Sequence, residues 1–107
     1  MANPTLPAKT EIFLTGVTGF VGKVVLEELL RRAEELNLGR VWVLIRKKRG
    51  QSPEQRFAKV ATSRVLAGVE AGWQDKVEII GGELSQPACG IDASERERMQ
   101  PHITHII

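Results

Sequence analysis

The chain has 107 residues, 42% of them hydrophobic, a formal net charge of +2, one cysteine and no tyrosine. That size suits one domain with one core, and the lone Cys89 excludes an internal disulfide, a thiolate metal site and a redox pair. The charge is too small to require a polyanion, and residues 1–10 lack the basic head and apolar stretch of a signal peptide or membrane span, so the cytoplasm is the expected compartment.

Ile12, Phe13 and Leu14 form a short apolar run, the pattern of a buried strand, and helical periodicity begins at Phe20. Between them Gly16, Gly19 and Gly22 recur every third residue, the spacing of a dinucleotide pyrophosphate turn. Gly16 permits a sharp reversal, Gly19 lets the backbone approach a phosphate, and Gly22 lets the helix lie close to the sheet. The first helical turn then offers unpaired N–H groups and a positive dipole end to an anion. A glycine turn serving packing alone is the competing reading. A nucleoside triphosphate loop is excluded, because Val17 stands where it needs glycine and Val24 where it needs Ser or Thr.

Val21, Val25, Leu29 and Ala33, with Leu26, Leu30 and Leu36 beside them, are spaced to face a core, and Glu27, Glu28, Arg31, Arg32, Glu34 and Glu35 take the wet side. Asn37, Leu38 and Gly39 supply the stop. Val41 to Ile45 is an uninterrupted apolar run, the pattern of a parallel strand covered on both faces. A second helix follows, with Ser52 as cap, Pro53 in its first position and Gln55 completing a capping box; Phe57, Val60, Ala61 and Val65 make its buried stripe, and it ends near Gly68. Val77 to Ile80 reads as a third strand, Gly81 and Gly82 as its turn, Ser94 to Gln100 as a short polar helix, and Ile103 to Ile107 as a fourth strand.

Strands alternating with helical crossovers predict an α/β fold: a partial Rossmann-type parallel sheet in the order 3-2-1-4 with flanking helices. Because the sequence stops inside an apolar strand, residues 1–107 are expected to be the N-terminal part of one NAD(P)-binding domain whose catalytic half lies elsewhere. An uncovered edge would also permit self-association.

NAD-specific folds carry an acidic residue at the end of the second strand, where it accepts from the ribose hydroxyls. Here that strand runs into Arg46, Lys47, Lys48 and Arg49, which favours NADPH. Arg46 is the best candidate, since a planar guanidinium stacks on adenine and contacts phosphate through two donors. Arg56, about one turn into the next helix, is the second. A solvated basic loop or a nucleic-acid patch are the competing readings, and the latter predicts DNA affinity that falls steeply with salt.

With the glycine turn (Phe13 to Lys23), the basic loop (Val43 to Gly50), the Glu54 to Phe57 segment and the Gly82 to Ser85 segment with Gly90 beyond it, nearly the whole chain resembles the N-terminal part of a fatty acyl-CoA reductase, in the extended short-chain dehydrogenase/reductase superfamily. The resemblance implies NADPH-dependent reduction of long-chain acyl thioesters to an aldehyde or alcohol, an oxidoreductase of lipid metabolism. It places Gly16, Thr18, Gly19, Phe20, Val21 and Gly22 at the pyrophosphate, Arg46, Lys48 and Arg56 in the cationic site, and Glu83 and Leu84 beside the adenine. Glu83 stands where the family has Asp. The family's proton donor is a tyrosine in a Tyr-x-x-x-Lys pair; none is present, so no catalytic residue is named and the fatty acyl-CoA is expected to bind outside these residues. A nucleic-acid partner is not expected, and peripheral membrane association of the longer protein is left open.

Two other readings stand beside this one: the terminal reductase domain of a carboxylic acid reductase or peptide synthetase, and a non-catalytic NADPH-binding sensor. His102 and His105 lack a third ligand, Trp42 and Trp73 read as packing residues, and Thr62, Ser63 and Cys89 lack an activating neighbour.

Overall fold

The computed structural model describes residues 9–107. The reading of the N-terminal segment as neither leader nor span therefore falls largely outside the described residues.

Four parallel strands, β1 (Thr10–Leu14), β2 (Leu38–Ile45), β3 (Val77–Gly81) and β4 (His105–Ile106), form one sheet in the order β3-β2-β1-β4, as the alternation predicts. The helices are α1 (Phe20–Arg31), α2 (Ala33–Leu36), α3 (Pro53–Ala61) and α4 (Ala93–Met99). Val43 pairs with Leu14 on one side and Ile79 on the other, so β2 lies at the centre of the hydrogen-bonded ladder.

Its side chains alternate between two cores. Val41, Val43 and Ile45 pack with Ile12, Leu14, Leu26, Leu30, Phe57 and Val60 beneath α1 and α3. Trp42 and Leu44 point the other way and pack with Phe13, Ile80, Ile91 and Met99. This double burial explains why β2 reads as a continuous apolar run. Trp42 is fully buried and donates from Nε1 to Glu11 at 2.8 Å, while the exposed His102 ring stacks on it at 6.4 Å. Arg98 lies 5.1 Å over the same indole, and its guanidinium is held above its ordinary pKa by hydrogen bonds to Glu95 and Glu78. Trp73 meets Phe57 edge-on at 6.1 Å, so both tryptophans are packing residues.

The structure corrects several boundaries. The first helix breaks at Arg32, whose φ and ψ of −97° and 18° leave the helical region, although Arg32 N–H still reaches Glu28 O at 3.1 Å. Asn37, in the left-handed region at φ 52°, ends α2, and β2 begins at once with Leu38, three positions before the expected Val41. Val21 does not face the core: it is 73% exposed, because the first turn of α1 stands beyond the end of β1.

Helix α3 stops at Ala61 rather than near Gly68. The Thr62 hydroxyl turns back to the carbonyls of Ala58 and Lys59, and that of Ser63 to Val60, so local side-chain bonds replace helix continuation. A 3-10 turn at Arg64–Leu66 then buries Leu66 to 2% exposure, the role expected of Val65. The fourth strand is reduced to His105–Ile106, with Ile106 74% and Ile107 50% exposed. Backbone bonds from Thr104 N–H to Glu11 O and from Ile107 N–H to Phe13 O, both 2.8 Å, carry the pairing slightly past it.

Candidate functional site

The site forms where β1, β2 and β3 end. Gly16 adopts φ +77°, a left-handed conformation, and reverses the chain directly after β1; its carbonyl then accepts from Gly19 N–H at 3.0 Å. Gly22 is held to glycine by sterics, for a Cβ there would lie 1.9 Å from Gly16 O and 2.8 Å from Val17 Cα. Its close neighbour is thus the turn itself, more than the sheet. At Gly19 a Cβ would meet only Gly16 O, at 3.5 Å, so the side facing outward is open.

The two longest helices, α1 and α3, contrast in their starts. Helix α3 is self-sufficient: Gln55 N–H donates to Ser52 Oγ at 3.1 Å, Ser52 N–H donates to Gln55 Oε1 at 2.8 Å, and Glu54 supplies a first-turn acid. Helix α1 has Gly19 as N-cap, no side-chain cap and no acid in its first turn. Its leading N–H groups and dipole end are available to an anion.

Beside this turn lies a cleft of about 210 Å³. Thr15, Gly16 and Thr18 form one wall, Leu44, Ile45 and Arg46 the floor, and Gly82, Glu83 and Leu84 the far wall, with Arg56 reaching in from α3. Gly82 keeps that far wall close, since a Cβ would lie 2.4 Å from Cys89 O and 2.6 Å from Leu44 Cδ1. Glu83 N–H donates to Cys89 O at 2.6 Å, which ties the wall to a loop where Ala88 and Cys89 both take left-handed conformations, φ 52° and 56°.

Arg46 Nη1 lies 3.5 Å from Glu83 Oε2 across the cleft mouth, and Arg56 Nη1 donates to the Arg46 carbonyl at 2.5 Å. Lys48 is placed differently. A tight turn, with Gln51 N–H donating to Lys48 O at 2.8 Å and Gly50 at φ +75°, directs Lys48 into a second cavity that adjoins the first through Thr18 and Arg56.

Of the residues expected from sequence, the fold therefore brings Gly16, Thr18, Arg46, Arg56, Glu83 and Leu84 into one cleft and Lys48 into its neighbour. Gly19, Phe20, Val21 and Gly22 line neither; the Phe20 and Val21 side chains are both 73% exposed, so what they offer a ligand is backbone N–H. Lys23 and Lys59 line the second cavity and were not foreseen. The available signal was Lys59, three residues after Arg56 and hence on the same helical face.

The arrangement fits a dinucleotide. Crevices at the carboxyl ends of parallel strands, beside the point where strand order reverses, are where open α/β sheets bind ligands. Here β1 is that reversal point, an uncapped helix start follows the turn that walls the cleft, and β2 ends in a cation instead of an acid.

A family profile described as male sterility protein, of the NAD-binding kind, matches residues 14–107. Fatty acyl-CoA reductase 1 of Mus musculus is 38% identical over 89 residues, which is 80% of this chain and 17% of that protein. Fatty acyl-CoA reductase wat of Drosophila melanogaster is 35% identical over 99 residues, 90% of this chain and 19% of that protein. The chain thus spans about a fifth of the length of these curated relatives. Among solved structures, the terminal R domain from the myxalamid PKS-NRPS pathway superposes with a TM-score of 0.72 at 32% identity, covering 96% of this chain and 25% of that one. The reductase domain of a non-ribosomal peptide synthetase from Mycobacterium tuberculosis gives 0.72 at 29% identity, covering 94% and 25%.

Proposed function

Matched from Leu14 to Ile107, the chain belongs to the male sterility protein family of NAD-binding domains, and on that premise we propose that it holds NADPH for the reduction of long-chain fatty acyl-CoA. One observation carries the cofactor preference: an uncapped helix start opens beside a cleft in which β2 delivers Arg46, with Lys48 and Arg56 adjoining, and the residues that follow β2 directly include no acid. In NAD-selective sites an acid accepts from the ribose hydroxyls; a cation there answers a 2′-phosphate instead.

The roles follow from placement. Backbone N–H groups of Phe20, Val21 and Gly22 meet the pyrophosphate, with Gly19 leaving room for its approach. Arg46 contacts the adenosine end, Lys48 and Arg56 neutralise the phosphate beside it, and Glu83 and Leu84 border the adenine. Thr18 bridges the two cavities and so lies between pyrophosphate and ribose phosphate. When bound, the cofactor supplies the hydride for thioester reduction. These side chains position it. No tyrosine occurs in the 107 residues, so a tyrosine proton donor is not among them.

The curated relatives named as fatty acyl-CoA reductases support the substrate class, and the synthetase reductase domains support a second reading in which the thioester is tethered to a carrier protein. Two chimeras separate them. This chain is grafted in place of the matching segment of a fatty acyl-CoA reductase and, separately, of a synthetase reductase domain, and NADPH oxidation is followed with long-chain acyl-CoA in the first and with a carrier-bound thioester in the second. Oxidation driven by acyl-CoA supports the proposal; oxidation driven only by the carrier-bound thioester supports the second reading. Binding of NADPH without either turnover would favour a sensor.

A further inference from the structure

We propose that Lys23 and Lys59 complete the site for a phosphomonoester on the adenosine ribose and set the preference for the phosphorylated cofactor, an inference that rests on the NADPH reading above. The observation is the second cavity, of about 210 Å³, lined by Thr18, Lys23, Lys48, Gln51, Arg56 and Lys59, with no carboxylate among its lining residues. Three separate elements converge there: Lys23 from the second turn of α1, Lys48 from the turn after β2, and Arg56 with Lys59 from one face of α3.

Elsewhere in the chain Arg31, Arg32, Arg40, Arg46 and Arg98 each have an acidic partner. Among the described residues, the amino groups of Lys23, Lys48 and Lys59 have no ion pair or hydrogen bond. Among the described residues Lys47, Arg49 and Arg64 are also without a side-chain partner, so what marks this cluster is that unpaired cations meet around one space. Like charges gathered around one small space repel, and a dianion entering that space relieves the repulsion.

Placement favours a phosphate at the boundary of the two spaces, met by Arg46 from the cleft and by the lysines from this cavity. In the cleft Arg46 already has Glu83 at 3.5 Å, and that carboxylate opposes a phosphate seated wholly there. The second cavity has no such acid, and it shares Thr18 and Arg56 with the cleft. A ribose in the cleft can therefore project its phosphate sideways into the lysines. Thr18 and Gln51 add neutral hydrogen-bonding groups.

The test is calorimetric titration of the chain with AMP, 2′,5′-ADP and 3′,5′-ADP. Lys23→Gln and Lys59→Gln should each weaken 2′,5′-ADP by roughly threefold to fivefold and together by about 10- to 25-fold, from the usual worth of an exposed charge contact and near-additivity of separate sites. AMP affinity and the thermal midpoint should stay unchanged, which a merely structural role would not allow. Lys47→Gln, in the same basic loop but lining neither cavity, should leave the ratio of 2′,5′-ADP to AMP affinity close to wild type.

An unchanged ratio in the double variant overturns the inference while the NADPH reading stands. Equal loss in Lys47→Gln overturns it in favour of diffuse attraction, and selective loss of 3′,5′-ADP overturns it in favour of a differently phosphorylated nucleotide. If the wild-type chain binds AMP and 2′,5′-ADP equally, the NADPH reading falls and this inference with it.

Discussion

Replacing Gly22 and Gly19 separately by alanine divides folding from binding within one turn. At Gly22 the new Cβ would sit 1.9 Å from Gly16 O, 2.4 Å from Gly16 C and 2.8 Å from Val17 Cα, all backbone atoms, where Cβ contacts under 3.0 Å essentially never occur. Overpacking costs about 1–3 kcal/mol when side chains can yield. Here the reversal after β1 must move instead, so the cost lies at or above the top of that range, and the better helix propensity of alanine returns only about 1 kcal/mol. A net loss of about 2 kcal/mol or more is expected, a large share of the roughly 5–15 kcal/mol that holds a domain.

At Gly19 the only neighbour is Gly16 O at 3.5 Å, and the backbone is extended at φ −89°, ψ 169°, which alanine adopts freely. Loss of a glycine N-cap to alanine costs no more than about 1 kcal/mol. The methyl group instead occupies the approach to the helix start, so NADPH and NADH should weaken together by roughly tenfold, about 1.4 kcal/mol each. Urea unfolding followed through the buried Trp42 reads the first effect, and calorimetric titration reads the second. Wild-type stability in Gly22→Ala, or wild-type affinity for both cofactors in Gly19→Ala, would refute the reasoning.

Arg46→Ala should weaken NADPH much more than NADH, because only NADPH carries the extra phosphate; equal losses in titration would remove that role from Arg46. Glu83→Gln deletes the carboxylate 3.5 Å from Arg46 and should tighten NADPH about twofold to threefold relative to NADH, while a loss of NADPH affinity would show that the pair positions Arg46 usefully. Ala88→Gly removes a Cβ from a left-handed position at φ 52° and should stabilise the chain by up to about 1 kcal/mol, seen as a higher urea midpoint.

The sheet order and the central strand are legible in the sequence because β2 is apolar on both faces and glycines punctuate both ends of the first crossover. The capping box at Ser52 and Gln55 is equally local and forms as its spacing predicts. What escaped depends on partners distant in sequence. Nothing at Arg32 breaks a helix: its flanking pairs, Arg31 with Glu27 and Arg32 with Glu28, are helix-supporting ones. Val21 repeats at core spacing, yet lies past the sheet end, where no element of the described residues covers it. Leu66 replaces Val65 because hydroxyls at Thr62 and Ser63 shift the phase of the following turn.

The candidate site divides the same way. Its glycine turn and the cations of the basic loop are contiguous in sequence, and they can be read as a motif. The pairing of Arg46 with Glu83, 37 residues apart, and the meeting of Lys23 with Lys59 exist only once the strands align the loops. Lys23 and Lys59 read singly as ordinary solvated positions on two helices.

The most direct measurement is calorimetric titration of this chain with NADPH and with NADH under the same salt concentration. The account predicts NADPH binding tighter by at least about tenfold, the minimum expected of one charge-assisted phosphate contact. Equal affinities, or no binding of either dinucleotide by a chain shown to be folded, would contradict it.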